Sequence, residues 1–228
     1  MLIPRAVTGA LPFCLLLSAA SAAEPRPATG LLDAVAPAYR SAVEQVVRQP
    51  TISAKAADDE FTAHVKVYDW LLEHPDRTSL AWRRMKVPCV EITDLGDGRF
   101  HWTDPNGSEL TWRTVGRFPD GLVWYATGKV KPGTLLPTVP VKAVAVLKVP
   151  RQATDEKAAT FQPVVQVYLQ TDSRAANAVL RMIGPAAPRM AEDGAEQLLL
   201  FFSGPARYLY RHPDEVPTML APKANPER

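Results

Sequence analysis

Side chains able to do chemistry are few in this sequence, and their spacing does not suit it. The four histidines, His64, His74, His101 and His212, stand at no interval that lets two of them hold one metal ion. Cys89 follows Val87 and Pro88 and precedes Val90, a setting that reads as a buried, inert thiol and not as a nucleophile. Gly96-Asp97-Gly98-Arg99-Phe100-His101 opens like a dinucleotide loop but lacks the third glycine, and it stands between strands instead of ahead of a helix. Gly121 to Lys129 has the wrong glycine spacing for a phosphate loop and no Ser or Thr after the lysine. No Gly-x-Ser-x-Gly elbow occurs. The sequence therefore assigns no catalytic residue, no metal ligand and no cofactor.

What remains is aromatic. Phe100, Trp102, Trp112 and Trp124 fall on neighbouring predicted strands, on faces able to line one surface. Two readings of them stay open. They are packed core under a helix, or they form the wall of an apolar pocket with few polar groups to orient a ligand. Under the second reading these four are the candidate ligand-binding residues. His101 and Glu109 fall on the opposite face, which disfavours them as catalysts.

The elements that position these residues run from Lys86 to Gln170. Six strands are expected: 86–94, 98–103, 108–118, 121–130, 141–149 and 162–170. Leu95-Gly96-Asp97-Gly98, Asp104-Pro105-Asn106-Gly107 and Pro119-Asp120-Gly121 supply the tight turns between them. Asn106-Gly107-Ser108 also matches a glycosylation acceptor, which the turn explains equally well. Leu110, Trp112 and Thr114 share one strand face, as do Leu122, Trp124 and Ala126. Val123 and Tyr125 put apolar side chains on the other face, so something covers part of it. Ala143 and Ala145 point one way and leave volume above the sheet for a helix or a ligand.

Ahead of these strands, Leu32, Val35, Tyr39, Ala42 and Val46 recur at helical intervals, with Pro37 either kinking or starting the helix and Pro50 ending it. This helix could pack on the outside of the domain. Thr51–Lys55 is a short strand. Phe61, Val65, Tyr68 and Leu72 form the buried stripe of a second helix, capped by Asp58 or Asp59 and closed at His74-Pro75. A third helix covers Thr78–Met85. Beyond Gln170, Ala175, Val179 and Met182 give a helix interrupted at Gly184-Pro185-Ala186-Ala187-Pro188. A longer one follows from Met190 to Tyr210, with Gly204-Pro205 as a kink or stop.

Hydrophobic residues make up 46% and charged residues 22% of the 228, and the formal charge is only +2, so no strong field favours nucleic acid. Arg83, Arg84 and Lys86 form a small basic cluster that reads as a solvated face. Residues 1–23 read as a secretory signal peptide. Arg5, an apolar run over Leu11–Ala20 and the small residues Ala20-Ser21-Ala22-Ala23 occur in the required order. That run is shorter than the roughly 20 residues a spanning helix needs. No small residue precedes Cys14 where a lipid anchor requires one. Export to the periplasm or the extracellular space is the expectation, with no transmembrane helix after cleavage.

The order strand, two short helices, six antiparallel strands and a C-terminal helix resembles the START-like superfamily, also called SRPBCC or helix-grip. The matching pieces are Thr51–Lys55, Phe61–Glu73, Thr78–Met85, the six strands and Ser173–Tyr210. The break at 184–188 departs from that pattern, since members carry one continuous helix there. A lipocalin-like barrel would not place two helices between its first and second strands. The resemblance implies an α+β fold: a curved antiparallel sheet of about seven strands gripping the C-terminal helix. Here it would have an extra N-terminal helix. It also implies an apolar cavity between sheet and helix for a hydrophobic small molecule or lipid. The organisation expected is a signal peptide at 1–23, a linker and helix at 24–50, the helix-grip domain at 51–211 and a flexible proline-rich tail at 212–228. Three functions remain: a carrier or sensor of such a molecule, an enzyme using the same pocket, or a structural envelope protein with a filled core.

Overall fold

The computed structural model describes residues 30–104, 107–131, 137–171, 184 and 186–222. The expected signal peptide and the helix expected around Ala175, Val179 and Met182 lie outside them.

The architecture is α+β. Seven strands form one antiparallel sheet in the order β1-β10-β7-β6-β5-β4-β3. Their ranges are β1 Ile52–Ala57, β3 Ile92–Gly96, β4 Arg99–Thr103, β5 Glu109–Phe118, β6 Gly121–Val130, β7 Val139–Lys148 and β10 Val164–Gln170. The turn chemistry read from the sequence is in place. Gly96, Asp97 and Gly98 have φ of 78°, 54° and 65°, the left-handed region that a tight β3–β4 turn demands. Asp104 Oδ1 accepts from the Ser108 amide at 2.9 Å and closes the β4–β5 turn. The strand expected from Lys86 begins only at Ile92. Pro88 cannot donate to a ladder, and Lys86 has φ of 62°.

The middle of the sheet's outer face is covered by residues 31–48. Where one helix was expected there are three pieces: α1 (Leu31–Ala34), a 3₁₀ turn at Pro37–Tyr39 and α2 (Arg40–Arg48). Between them Val35 is extended and bridges Gly116. Leu31, Val35, Val43, Val46 and Val47 pack on Val115, Val123, Val144, Val146 and Tyr168. Each such valine contributes about 1.5–3 kcal/mol when fully buried, so this segment shares the core of the domain. Gly116 allows the close approach, because the Ala34 carbonyl oxygen lies 2.8 Å from where a Cβ would stand. The Gln170 amide donates to the Gln45 and Gln49 carbonyls and ties the end of α2 to β10.

The inner face carries α3 (Val65–Glu73), α4 (Pro75–Arg84), a small sheet and the long C-terminal helix Ala186–Arg211. The small sheet, ordered β2-β9-β8, has no counterpart in the sequence reading. It joins β2 (Phe61–His64), β8 (Arg151–Ala153) and β9 (Ala158–Phe161). Phe61 was expected on a helix with Tyr68 and stands instead on β2. It meets the Tyr68 ring edge-on at 5.3 Å and the Phe161 ring at 5.7 Å, so the buried stripe survives while its first turn is a strand. Burial first, and the nearby Asp58 carboxylate second, hold the Tyr68 phenol well above its ordinary pKa.

The C-terminal helix buries Ala195, Leu199, Phe202, Ala206 and Leu209, a stripe at intervals of four and three. Pro188 falls in its first turn, where a missing N–H costs nothing. Gly204-Pro205 was expected to kink or stop the helix; it does not stop it, and the helix runs on to Arg211. Pro205 has no N–H for the carbonyl of Phe201, four residues earlier. The Trp82 indole fills that role: its Nε1–H donates to the Phe201 carbonyl at 2.8 Å. Gly204 makes room, since a Cβ there would overlap the Trp82 ring.

The tail expected to be flexible from 212 continues as a 3₁₀ turn at Pro213–Glu215 and a short helix at Val216–Leu220. Arg84 holds it, donating from Nη1 to the carbonyls of Thr218 at 2.6 Å, Met219 at 2.9 Å and Ala221 at 2.8 Å. Residues 223–228 lie outside the described residues. Among the described residues no helix is long and apolar enough to cross a membrane.

Trp82→Phe leaves the Phe201 carbonyl without a donor and should destabilise the fold by about 1–3 kcal/mol. Pro205→Ala restores an N–H at that position, so the same tryptophan change should cost clearly less in the Pro205→Ala background. Denaturant unfolding of the four-protein cycle measures this. Equal costs in the two backgrounds would contradict the substitution of indole for proline N–H.

A candidate apolar binding face

Cross-strand register places Phe100, Trp102, Trp112 and Trp124 on one side of the sheet. Four transverse rows run across it. The first is Ile92, Trp102, Leu110, Gly128 and Val141. The second is Asp94, Phe100, Trp112, Ala126, Ala143, Leu169 and Ile52. The third is Thr114, Trp124, Ala145, Val167 and Ala54, and the fourth Arg117, Leu122, Leu147, Val165 and Ala56. His101 and Glu109 fall on the other side, as expected from alternation. His101 Nδ1 lies 3.1 Å from the Thr111 hydroxyl, and Glu109 pairs with Lys129 at 3.0 Å.

These rows are closed to different degrees. In the fourth, Leu122, Leu147, Val165 and Ala56 are all buried against the helical layer. In the third, Trp124 is 7% exposed and its ring stacks on Phe202 at 5.4 Å and 18°. Phe202 in turn meets Phe201 edge-on at 4.8 Å. Trp124 is therefore a packing residue, and the alanine opposite it, Ala145, leaves room for the indole.

The first two rows are different. Phe100 is buried and lies 5.9 Å from the Trp112 ring. Trp102, Leu110, Trp112, Ala126, Val141, Ala143, Leu169 and Ile52 are all only half-buried. Together they make a continuous apolar surface over six strands. Apart from Asp94 at the exposed edge, the side-chain polar atoms of these rows are the two indole nitrogens. Trp102 Nε1 is shut off from solvent and has no hydrogen-bond partner.

Of the four residues singled out from the sequence, Trp102 and Trp112 thus stand on the open rows, whereas Phe100 and Trp124 are buried. Leu110, Ala126 and Ala143, which the sequence put on these strand faces, line the surface too, and Val141, Leu169 and Ile52, which the sequence reading did not single out, complete it. Counting pairs outward from the Asp120-Gly121 turn would have set Trp112 beside Thr127; the bulge at Val115 shifts the register by one and brings it beside Ala126.

Elsewhere the described residues give no catalytic arrangement. No cluster of three or more His, Cys, Asp or Glu able to hold a metal occurs among them. Burial pushes the Cys89 thiol above its ordinary pKa, outweighing Ser79 and Arg83 nearby, which suits an inert thiol. A cleft of about 190 Å³ near Leu72, Phe118, Leu122 and Val149 is rimmed by the ion pairs Arg117–Glu73 and Arg151–Asp69. Those four charges satisfy one another.

No protein-family model and no curated protein sequence matches the chain. Solved structures do. A conserved protein from Geobacillus kaustophilus is 12% identical with a TM-score of 0.43, over 71% of this chain and 96% of that one. Ara h 8.0201 is 14% identical with a TM-score of 0.40, over 69% and 97%. Truncated norcoclaurine synthase from Thalictrum flavum is 10% identical with a TM-score of 0.30, over 67% and 97%. None of these likenesses bears on what this chain binds.

Truncating the two central indoles should separate closed from open rows. Trp124→Ala removes a stacked, buried ring and should cost about 3–5 kcal/mol of stability. Trp112→Ala removes a half-exposed ring from an open row and should cost no more than about 2 kcal/mol. Urea unfolding of the two variants decides, and equal losses would contradict the gradient of closure.

Proposed function

We propose that this is an exported binding protein for an apolar small molecule or lipid, held against the first two rows of the inner face. The observation that carries the reading is the continuous half-buried apolar surface around Trp102 and Trp112, next to rows already closed by the C-terminal helix. Proteins bury such surface against an occupant, and a few polar atoms suffice to orient it. Export rests on the composition and order of residues 1–23.

A second reading has a specific observation in its favour. The Trp124–Phe202 stack and the Phe100–Trp112 contact fill part of the inner layer with the protein's own rings. Carried through to the remaining rows, this makes a structural envelope protein with no ligand. Catalysis has less support: among the described residues the inner rows offer Asp94 alone as an acid or base, and its Oδ1 is engaged by the Gly96 amide at 2.8 Å.

Native mass spectrometry of protein purified from its own compartment tests the proposal. The expected species lacks the residues up to Ala22 or Ala23 and carries an apolar adduct that leaves on gentle activation. A mass that includes Met1 would overturn export. A protein that arrives empty and takes up no apolar dye would overturn binding and leave the filled-core reading.

A further inference from the structure

We propose that residues 213–222 form a strap across the β3 side of the inner face, that Arg84 is its clasp, and that a guest of the open rows enters and leaves when the strap lifts. This adds a control of access to the binding reading above and rests on it.

The strap has a root and a tip. At the root the chain turns at His212-Pro213, directly after the C-terminal helix, and the Tyr208 hydroxyl donates to Glu215 Oε2 at 2.8 Å. At the tip the Arg84 guanidinium donates to the Thr218, Met219 and Ala221 carbonyls at 2.6, 2.9 and 2.8 Å. These carbonyls lie at the C-terminal end of the short helix Val216–Leu220, where a helix leaves them without partners of its own. A helix of five residues is too short to persist alone, so it depends on the cation that caps it. Between root and tip, neither the 3₁₀ turn nor the short helix holds a buried residue. An attachment concentrated in one guanidinium, with little apolar area behind it, opens as a unit well before the core does. Pro222, at the end of the strap, lines a cleft of about 200 Å³ with Leu80 and Arg83 of α4 and with Ile92 and Asp94 of β3. Ile92 and Asp94 are the β3 ends of the two open rows, paired with Trp102 and Phe100. The cleft thus lies between α4 and the edge strand, at the end of the half-buried apolar surface. Lifting the strap takes Pro222 out of its wall. It leaves α4 and the C-terminal helix together, because the Trp82 indole still holds the Phe201 carbonyl.

The test is stopped-flow uptake and release of the apolar dye N-phenyl-1-naphthylamine by the wild-type protein and two full-length variants. Arg84→Gln opens the clasp, and Leu220→Gly weakens the short helix and its hold on the core beneath. Each change should raise the association and dissociation rate constants together, by about tenfold for Arg84→Gln, and leave the affinity unchanged. A strap alters passage and not the bound state, whereas a residue that lines the site alters affinity. If Arg84→Gln fails to fold, Leu220→Gly answers by itself. If neither folds, residues 213–222 belong to the core and the inference fails. Wild-type rates in both variants, or a changed affinity with unchanged association, overturn the strap and leave the binding face standing. A dye bound by none of the three proteins overturns the binding reading, and the strap with it.

Discussion

The hydrogen bond from the Trp82 indole to the Phe201 carbonyl is the contact on which the inner layer depends. A helix of 26 residues with a proline six places from its end would ordinarily bend or stop there. The indole supplies the donor that Pro205 lacks, and Gly204 gives the ring its place. Because the helix continues, Phe202, Ala206 and Leu209 stay on one stripe. Phe202 then reaches Trp124 across the layer. At the same turn Arg207 donates to Asp58 at 2.8 Å and lies over the Phe61 ring, pinning the helix to the β1–β2 corner.

From this anchor the inner face opens in one direction. Leu122 and its row, with Trp124 in the next, are buried under the helical layer, whereas Trp112 and Trp102 with their neighbours present apolar surface only half-covered. On the outer face α1 and α2 bury Val115, Val123, Val144 and Val146, so the middle of β5, β6 and β7 is apolar on both sides, while Thr111, Thr127 and Lys129 further along carry polar groups toward solvent. Among the described residues the half-covered apolar surface of the sheet lies on the inner face, around Trp102 and Trp112. On the binding proposal, the rings and aliphatic groups there supply the area that an apolar guest needs.

Much of this was legible in the sequence. Asn-Gly and Asp-Gly turns separated by alternating strands gave one antiparallel sheet of six strands, the START-like resemblance implied about seven, and Val123 with Tyr125 signalled a covered second face. The element order of the START-like resemblance is realised in the seven strands, the intervening helices and the C-terminal helix. Other features were hidden for physical reasons. Phe61, Val65, Tyr68 and Leu72 have helical spacing, yet the first of them pairs with Phe161 on a second sheet, and periodicity cannot distinguish the two. The hairpin of β8 and β9 is short and alanine-rich, with Asp155 holding its turn through the Lys157 and Ala158 amides. Gly204-Pro205 looked like a kink or a stop, and the donor that lets the helix continue lies more than a hundred residues away, at Trp82. Closure of the aromatic rows was equally out of reach, since alternation assigns a side chain to a face without saying what covers it. The pinned tail depends on Arg84, which in the sequence belongs to a basic cluster with no visible partner.

The central claim is that the inner face is closed at Trp124 and open at Trp112 and Trp102. The protein carries its own reporters, five tryptophans of which two stand on the open rows. Incorporation of fluorotryptophan gives one fluorine resonance for each of Trp70, Trp82, Trp102, Trp112 and Trp124. Titration with an apolar probe should move the Trp102 and Trp112 resonances most and leave Trp70, Trp82 and Trp124 nearly in place. A spectrum in which no resonance moves, or in which Trp124 responds more than Trp102 and Trp112, would contradict the claim.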